Sequence, residues 1–197
     1  GGLIILLTGT YKAGDRVEIN SKYGDIIDIG ILNTTLFELK EWVHADHPTE
    51  RISTIPNGFV LNSVVNNYNK DNPFIWDEIV LPITYDSDWK IACERVMTIV
   101  REETRTLTVA AQEHISALSR KYYLAESIRE PAIYLSITDK CINLNISYLT
   151  LTRERRCLKD RLSRLILEDI LKDERITIAT DTMDVTVAAA NMFKDKR

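Results

Sequence analysis

The densest group of metal-ligating side chains in this sequence is His44 and His47 with Glu41 and Asp46 beside them. Imidazole and carboxylate suit zinc-like cations, but a site needs three or four donors, and no distant His completes this set. A solvated loop is the plainer reading. His114 stands alone in a helical pattern and reads as a surface or partly buried side chain. Cys93 follows Trp89 by one helical turn and reads as a small core residue, while Cys141 and Cys157 have no base beside them to activate a nucleophile. Gly14, Gly24, Gly30 and Gly58 are separated by strand-like residues and form no phosphate-cradling loop. No enzyme motif emerges, and no catalytic, cofactor-binding or metal-binding residue is assigned. One charged run remains: Arg153, Arg155, Arg156, Lys159, Arg161 and Arg164 face only Glu154 and Asp160, a net of +4. Such a run is usually a solvated face, and otherwise an electrostatic surface for an anion.

The elements that must carry these residues fall into two regions. From Tyr11 to Asn69 short strands alternate with turns at Ala13-Gly14-Asp15, at Lys22-Tyr23-Gly24-Asp25 and at Pro56-Asn57-Gly58. In the second strand Ile27, Ile29 and Ile31 alternate with Asp28 and Gly30, and Val60 to Asn69 closes the region. The spacing predicts a small, strongly bent β-barrel or open sheet with too little core to stand alone. After Asn72-Pro73 comes a strand to Thr84, then Tyr85-Asp86-Ser87-Asp88, rich in oxygens that cap a helix. The helix stripe runs Trp89, Cys93, Val96, Met97, Val100, Leu107, Ala111, Ile115, Leu118 and Tyr122, with the β-branched stretch Thr104 to Val109 expected to bend or interrupt it. Ala132 to Thr138 and Ile142 to Tyr148 form a hairpin. A second helix opens at Thr152 or Arg153 with Leu158, Leu162, Leu165, Ile166 and Leu171 as its stripe, and a final strand starts at Arg175. Strand, helix, strand, strand, helix, strand is the order of a ferredoxin-like α+β sandwich. Asp181 to Val187 reads as one more short strand outside it.

Length and composition set outer bounds. The 197 residues are 45% apolar and 27% charged, as in folded proteins. Lys and Arg number 25 against 29 Asp and Glu, a formal charge of −4, which disfavours a nucleic-acid partner. The longest apolar run, Leu3 to Leu7, is far short of the about 20 residues that a bilayer-spanning helix needs. The chain starts at Gly1-Gly2 with no Met and reaches that run at once, like a cut end. An odd number of widely spaced cysteines suits a reducing, cytoplasmic location.

Taken together, Lys12-Ala13-Gly14-Asp15-Arg16-Val17-Glu18-Ile19, Gly24 with the isoleucine-rich strand to Asn33-Thr34-Thr35-Leu36, Ile55-Pro56-Asn57-Gly58, and Asn62 to Asn69 resemble the β-domain of the small-conductance mechanosensitive channel (MscS) family. Ile83-Thr84-Tyr85-Asp86-Ser87-Asp88 is similar to the family's strand-to-helix junction, and Met183-Asp184-Val185-Thr186-Val187 to the short strand it gives to a barrel shared between subunits. The polar segment Glu41 to Arg51 is longer than the turn usually found before the family's Pro-Asn-Gly, and the helix after Asp88 is longer than in the shortest family members.

The resemblance implies a channel subunit divided into the end of a pore-lining helix (1–9), a small bent Sm-like β-domain (10–71), a ferredoxin-like α/β domain (72–180) and a barrel strand with tail (181–197). Gly1, Gly2, Leu3, Ile4, Ile5, Leu6 and Leu7 then align with the stump of the pore helix, beyond the gate. Family members are homoheptamers whose cytoplasmic cage sits below a tension-opened pore that releases ions and small osmolytes in hypo-osmotic shock. The implied partners are other copies of the chain, the bilayer through helices upstream, and permeating solutes, with no cofactor and no nucleic acid. The intact protein would lie in the cell membrane with this region cytoplasmic, and Arg153, Arg155 and Arg156 could charge the cage or its portals. Two other readings stand beside it. A soluble Sm-like ring binding RNA is opposed by the net charge of −1 over Tyr11 to Lys40. A metal-dependent enzyme would use His44 and His47.

Overall fold

The computed structural model describes residues 2–39, 48–122 and 130–180. A seven-residue helix, α1 (Gly2–Thr8), leads into strands β1 (Arg16–Ile19), β2 (Lys22–Ile29), β3 (Asn33–Leu39) and β4 (Pro48–Pro56). A helical turn, α2 (Phe59–Asn62), and a short strand, β5 (Val65–Asn67), follow. These strands form one antiparallel sheet in the order β4-β3-β2-β1-β5. Its two edges, β4 and β5, are not paired with each other, so no barrel is closed among the described residues.

Three local expectations are corrected. The turn lies at Asn20-Ser21, with φ of 51° and 62°, and not at Lys22–Asp25, which runs inside β2. Two consecutive left-handed residues make the tight connection whose twist suits a hairpin, and Asn tolerates that conformation. Ile26 is the buried isoleucine of β2, whereas Ile27 is exposed, because the register shifts between Ile26 and Asp28 and changes which side chains face inward, and Ile31, past the end of β2, is exposed as well. Val60 to Asn69 is split between α2 and β5, since the chain makes one helical turn after Pro56-Asn57-Gly58 before returning to the free edge of β1.

The core of this unit is small: Val17, Ile19, Ile26, Leu36 and Ile55 from the sheet, closed by Tyr11 and by Ile5 of α1. A sheet with so few buried side chains needs that helix to exclude water from its head.

The second unit contains β6 (Phe74–Ile83), α3 (Trp89–Tyr122), β7 (Ala132–Ile137), β8 (Ile142–Leu151) and α4 (Arg155–Ile170). Its antiparallel sheet runs β6-β8-β7. Strict alternation puts Ile142, Leu144, Ile146 and Tyr148 on one face, against Ala92, Val96 and Val100 of α3 and Leu158, Leu162, Ile166 and Ile170 of α4. The architecture is therefore mixed α/β with antiparallel sheets.

Helix α3 runs without interruption through Thr104 to Val109. Thr104 sits in the buried line and its hydroxyl donates to the Val100 carbonyl at 2.7 Å, so the β-branched residue is accommodated without breaking the ladder. Trp89 and Leu171, expected in the helix stripes, are exposed, and Ala92 and Ile170 occupy the inward positions. Helix α4 opens at Arg155, after a turn over 152–154. The strand expected from Arg175 is a single bridge, Ile178 to Ile83. Residues Met183, Asp184, Val185, Thr186 and Val187 lie outside the described residues.

Candidate functional site

The head of the five-stranded sheet is built by Asn57. Its side-chain amide donates to the carbonyls of Gly30 at 2.9 Å and Ile31 at 3.3 Å, and its backbone N–H donates to Leu32 at 2.7 Å. Its side-chain oxygen accepts from the Thr34 hydroxyl at 2.6 Å, and that hydroxyl also meets Tyr11 at 2.9 Å. Asn57, Thr34 and Tyr11 are all buried, so each of these bonds satisfies a group that water cannot reach. Burial raises the Tyr11 phenol above its ordinary value, which keeps it a neutral partner for Thr34.

The loop held by Asn57 is the one that receives α1. The Gly2 N–H donates to the Ile31 carbonyl at 3.0 Å, and a Cβ on Gly2 would lie 2.4 Å from the Gly30 carbonyl oxygen. Only glycine lets the helix approach so closely. Ile5 inserts into the core at full burial, whereas Leu3 is 69%, Leu7 78% and Ile31 86% exposed. One short helix is thus locked at its start by Gly2, in its middle by Ile5 and past its end by Tyr11, while its remaining apolar side chains form an outward surface with Ile31 and Leu32.

The other motif residues serve the same sheet. Asp15 is buried and its carboxylate accepts from the Lys12 N–H at 3.0 Å and from Asn67 at 2.8 Å, tying the turn before β1 to β5. Gly24 faces the backbone of Phe37, where a Cβ would come within 2.7 Å of the carbonyl oxygen. Pro56 ends β4. Gly58 has φ −61° and open space around it, so nothing in the structure demands glycine there.

A second focus is the joint between the two units. Arg16 pairs with Asp25 through two hydrogen bonds, 2.8 and 3.0 Å, and reaches the Thr152 carbonyl at 3.2 Å. The Thr152 hydroxyl donates to Pro73 at 2.9 Å, and Arg153 donates to the Gly14 carbonyl at 2.7 Å. A family-motif glycine and one of the three arginines singled out in the sequence are thereby brought together. Arg155 instead meets the nearly buried Asp77 at 3.2 Å, and Asp77 also accepts from the Tyr148 hydroxyl at 3.1 Å. Arg161 pairs with Glu103 at 2.9 Å and Arg164 with Asp160 at 2.9 Å. Most of the charge run is therefore spent on internal pairs, while Arg156 is exposed.

Sequence reasoning missed Tyr11, Thr34, Arg16 and Thr152, because a buried polar residue leaves no periodic signal. His44, His47, Glu41, Asp46 and Gly1 lie outside the described residues. Among the described residues no group of three His, Cys, Asp or Glu is placed to hold a metal ion. Burial pushes the Cys93 thiol up, opposite to what a nucleophile requires. Among the described residues no helix is long and apolar enough to cross a membrane.

Comparison with known proteins bears on the sheet just described. The family model of the mechanosensitive ion channel β-domain matches residues 1–70. Over these residues, about a third of its length, the chain is similar to the β-domain of mechanosensitive ion channels. Solved MscS-type structures share the fold over most of the chain. The cryo-EM structure of Arabidopsis thaliana MSL1 is 18% identical with a TM-score of 0.61, covering 91% of this chain and 56% of that one. The crystal structure of Helicobacter pylori MscS in its closed state is 19% identical with a TM-score of 0.61, covering 94% of this chain and 62% of that one. The chain thus spans somewhat more than half the length of these MscS-type proteins, and at such identity the likeness is one of fold. None of the curated proteins matches. The RNA-binding alternative gains no support from these matches.

Proposed function

We propose that this chain is the cytoplasmic cage region of a mechanosensitive ion channel, one that opens under membrane tension and releases ions and small osmolytes in hypo-osmotic shock. The observation that carries the reading is the lock on α1. A helix whose one face is keyed into the β-domain by Gly2, Ile5 and Asn57, and whose other face is apolar and exposed, suits the end of a pore-lining helix resting on a rigid collar. Movement of such a helix is resisted by the collar, so tension applied above is balanced against contacts below.

In this reading residues 1–9 end the pore helix, 10–71 form a small bent Sm-like β-domain, 72–180 a ferredoxin-like domain and 181–197 the inter-subunit barrel strand and tail. The protein is a conduit and not an enzyme. It assembles with other copies of itself as a homoheptamer, is held in the cell membrane by helices upstream, and keeps this region cytoplasmic. Open sheet edges at β4 and β5 favour pairing between copies, since an uncovered edge otherwise invites aggregation. Arg156, exposed and near Asp160, is the best placed of the three arginines to influence ions in the cage.

The test is electrical. The intact protein, expressed in cells lacking their own tension-gated channels, should give conductance steps under membrane suction and restore survival of hypo-osmotic shock. Asn57→Ala should shift the tension needed for opening. Silence under suction, with the protein present in the membrane, would exclude the channel reading.

A further inference from the structure

Past α4, residues 175–180 form no strand of their own, yet their backbone is held at regular intervals. The Arg175 carbonyl accepts from the Asp88 N–H at 2.9 Å, the Thr177 carbonyl from the Thr84 N–H at 2.9 Å, and the Ala179 N–H donates to Pro82 at 3.0 Å. Contacts at every second residue are those of a strand ladder. Opposite Arg175 and Thr177, however, the chain has left β6 and not yet entered α3. The Ser87 side chain fills that gap: its hydroxyl accepts from the Thr177 N–H at 2.9 Å and lies 3.2 Å from the Thr177 carbonyl, to which it donates. Ser87 is itself buried, and Thr84 supports its hydroxyl at 3.0 Å. Meanwhile Asp88 caps the first turn of α3 through the N–H groups of Lys90 and Ile91, both at 3.2 Å. The junction therefore starts a helix with one residue and receives another segment with its neighbour.

A charged anchor holds the same segment from the other side. Arg95 of α3 makes two bonds of 2.7 Å to the Asp169 carboxylate of α4 and one of 2.8 Å to Asp173. Asp173 in turn accepts from Arg175 at 2.6 and 2.8 Å. Arg95 of α3 and Arg175 of the outgoing chain meet on the Asp173 carboxylate, and Arg95 ties α4 to them through Asp169.

We propose that Thr84–Asp88, with Ser87 as its key contact, is a seat that fixes the direction in which the chain leaves the three-stranded unit, and that assembly with other copies depends on that direction. The proposal rests on the self-assembly reading above. Ser87 is a positioning residue: it acts on assembly through Thr177.

Amide hydrogen exchange and native mass of the 197-residue chain, with Ser87→Ala and Ser87→Thr, test it. Ser87→Ala should speed exchange at Thr177 and Ala179 about fivefold or more while leaving β8 and α4 unchanged, and should lower the assembled fraction. Ser87→Thr keeps the hydroxyl and should behave as the parent. Unchanged exchange at Thr177 in Ser87→Ala overturns the seat. Faster exchange with an unaltered mass distribution overturns its role in assembly. A parent chain that stays monomeric overturns the self-assembly reading and the proposal with it, a result visible without any substitution. Should Ser87→Ala fail to fold, Asp173→Asn loosens the segment from its second anchor and must produce the same pair of changes.

Discussion

Asn57, itself buried, shows how much one side chain can organise when it bonds two successive backbone carbonyls and a buried hydroxyl. Replacing it with Ala would take the side-chain donor from the carbonyls of Gly30 and Ile31 and the Asn57 acceptor from the hydroxyl of Thr34. We expect Asn57→Ala to cost about 2–4 kcal/mol in urea unfolding, several times the cost of an ordinary surface substitution. Two glycines of the family motif should separate cleanly in the same measurement. Gly24→Ala drives a methyl into the Phe37 carbonyl and should cost about 1–3 kcal/mol. Gly58→Ala meets open space at a helical φ and should be neutral or stabilising by up to about 1 kcal/mol, through loss of freedom in the unfolded chain. Equal effects at the two positions would show that the close approach of β2 to β3 at Gly24 is not what requires glycine.

Helices α3 and α4 are held by two kinds of contact. Leu158, Leu162, Ile166 and Ile170 recur every four residues and are all buried, so Leu162→Ala should cost about 2–5 kcal/mol. Thr104→Val keeps shape in the same core and loses a hydroxyl that donates to the Val100 carbonyl, so the expected cost is under about 1 kcal/mol. The ionic contact behaves differently. The Arg95 guanidinium holds the Asp169 carboxyl below its ordinary range, and Arg175, with Arg95 beyond it, holds Asp173 lower still. Groups whose folded pKa is depressed stabilise the protein above their unfolded value and lose that contribution as pH falls through the folded one. The denaturation midpoint should therefore drop as pH falls below about 4, and Asp173→Asn should flatten that dependence. An acid profile unchanged by Asp173→Asn would remove the network from the account.

For the molecule as a whole, the joint between the sheets decides whether force on one reaches the other. Arg16 serves both sides, pairing with Asp25 in its own sheet and with Thr152 across the joint, and Arg153 returns the contact to Gly14. Arg16→Met removes both attachments and leaves Asp25 without its guanidinium. Calorimetry should then resolve two melting transitions in place of one. A single transition at the parent temperature would mean that other contacts couple the units.

The chain's own order of residues determined its division into a strand-rich part and a helix-bearing part, because alternation in β8 and the four-residue recurrence in α4 are local properties that survive without knowledge of the rest. It also marked Asn57 and Gly14 as special, though not why. What lay beyond it were choices made by distant backbone. The bulge in β2 selected Ile26 over Ile27, Gly24 became a strand residue because Phe37 approaches it, and Thr104 joined a buried line without interrupting α3. The charge run over Arg153 to Arg164 looked like a free surface until Asp77, Glu103 and the Gly14 carbonyl were brought against it. Periodicity is written in the chain because each residue's direction follows from its neighbours. Pairing across tens of residues depends on where the folded backbone places a partner, and only tertiary structure decides that.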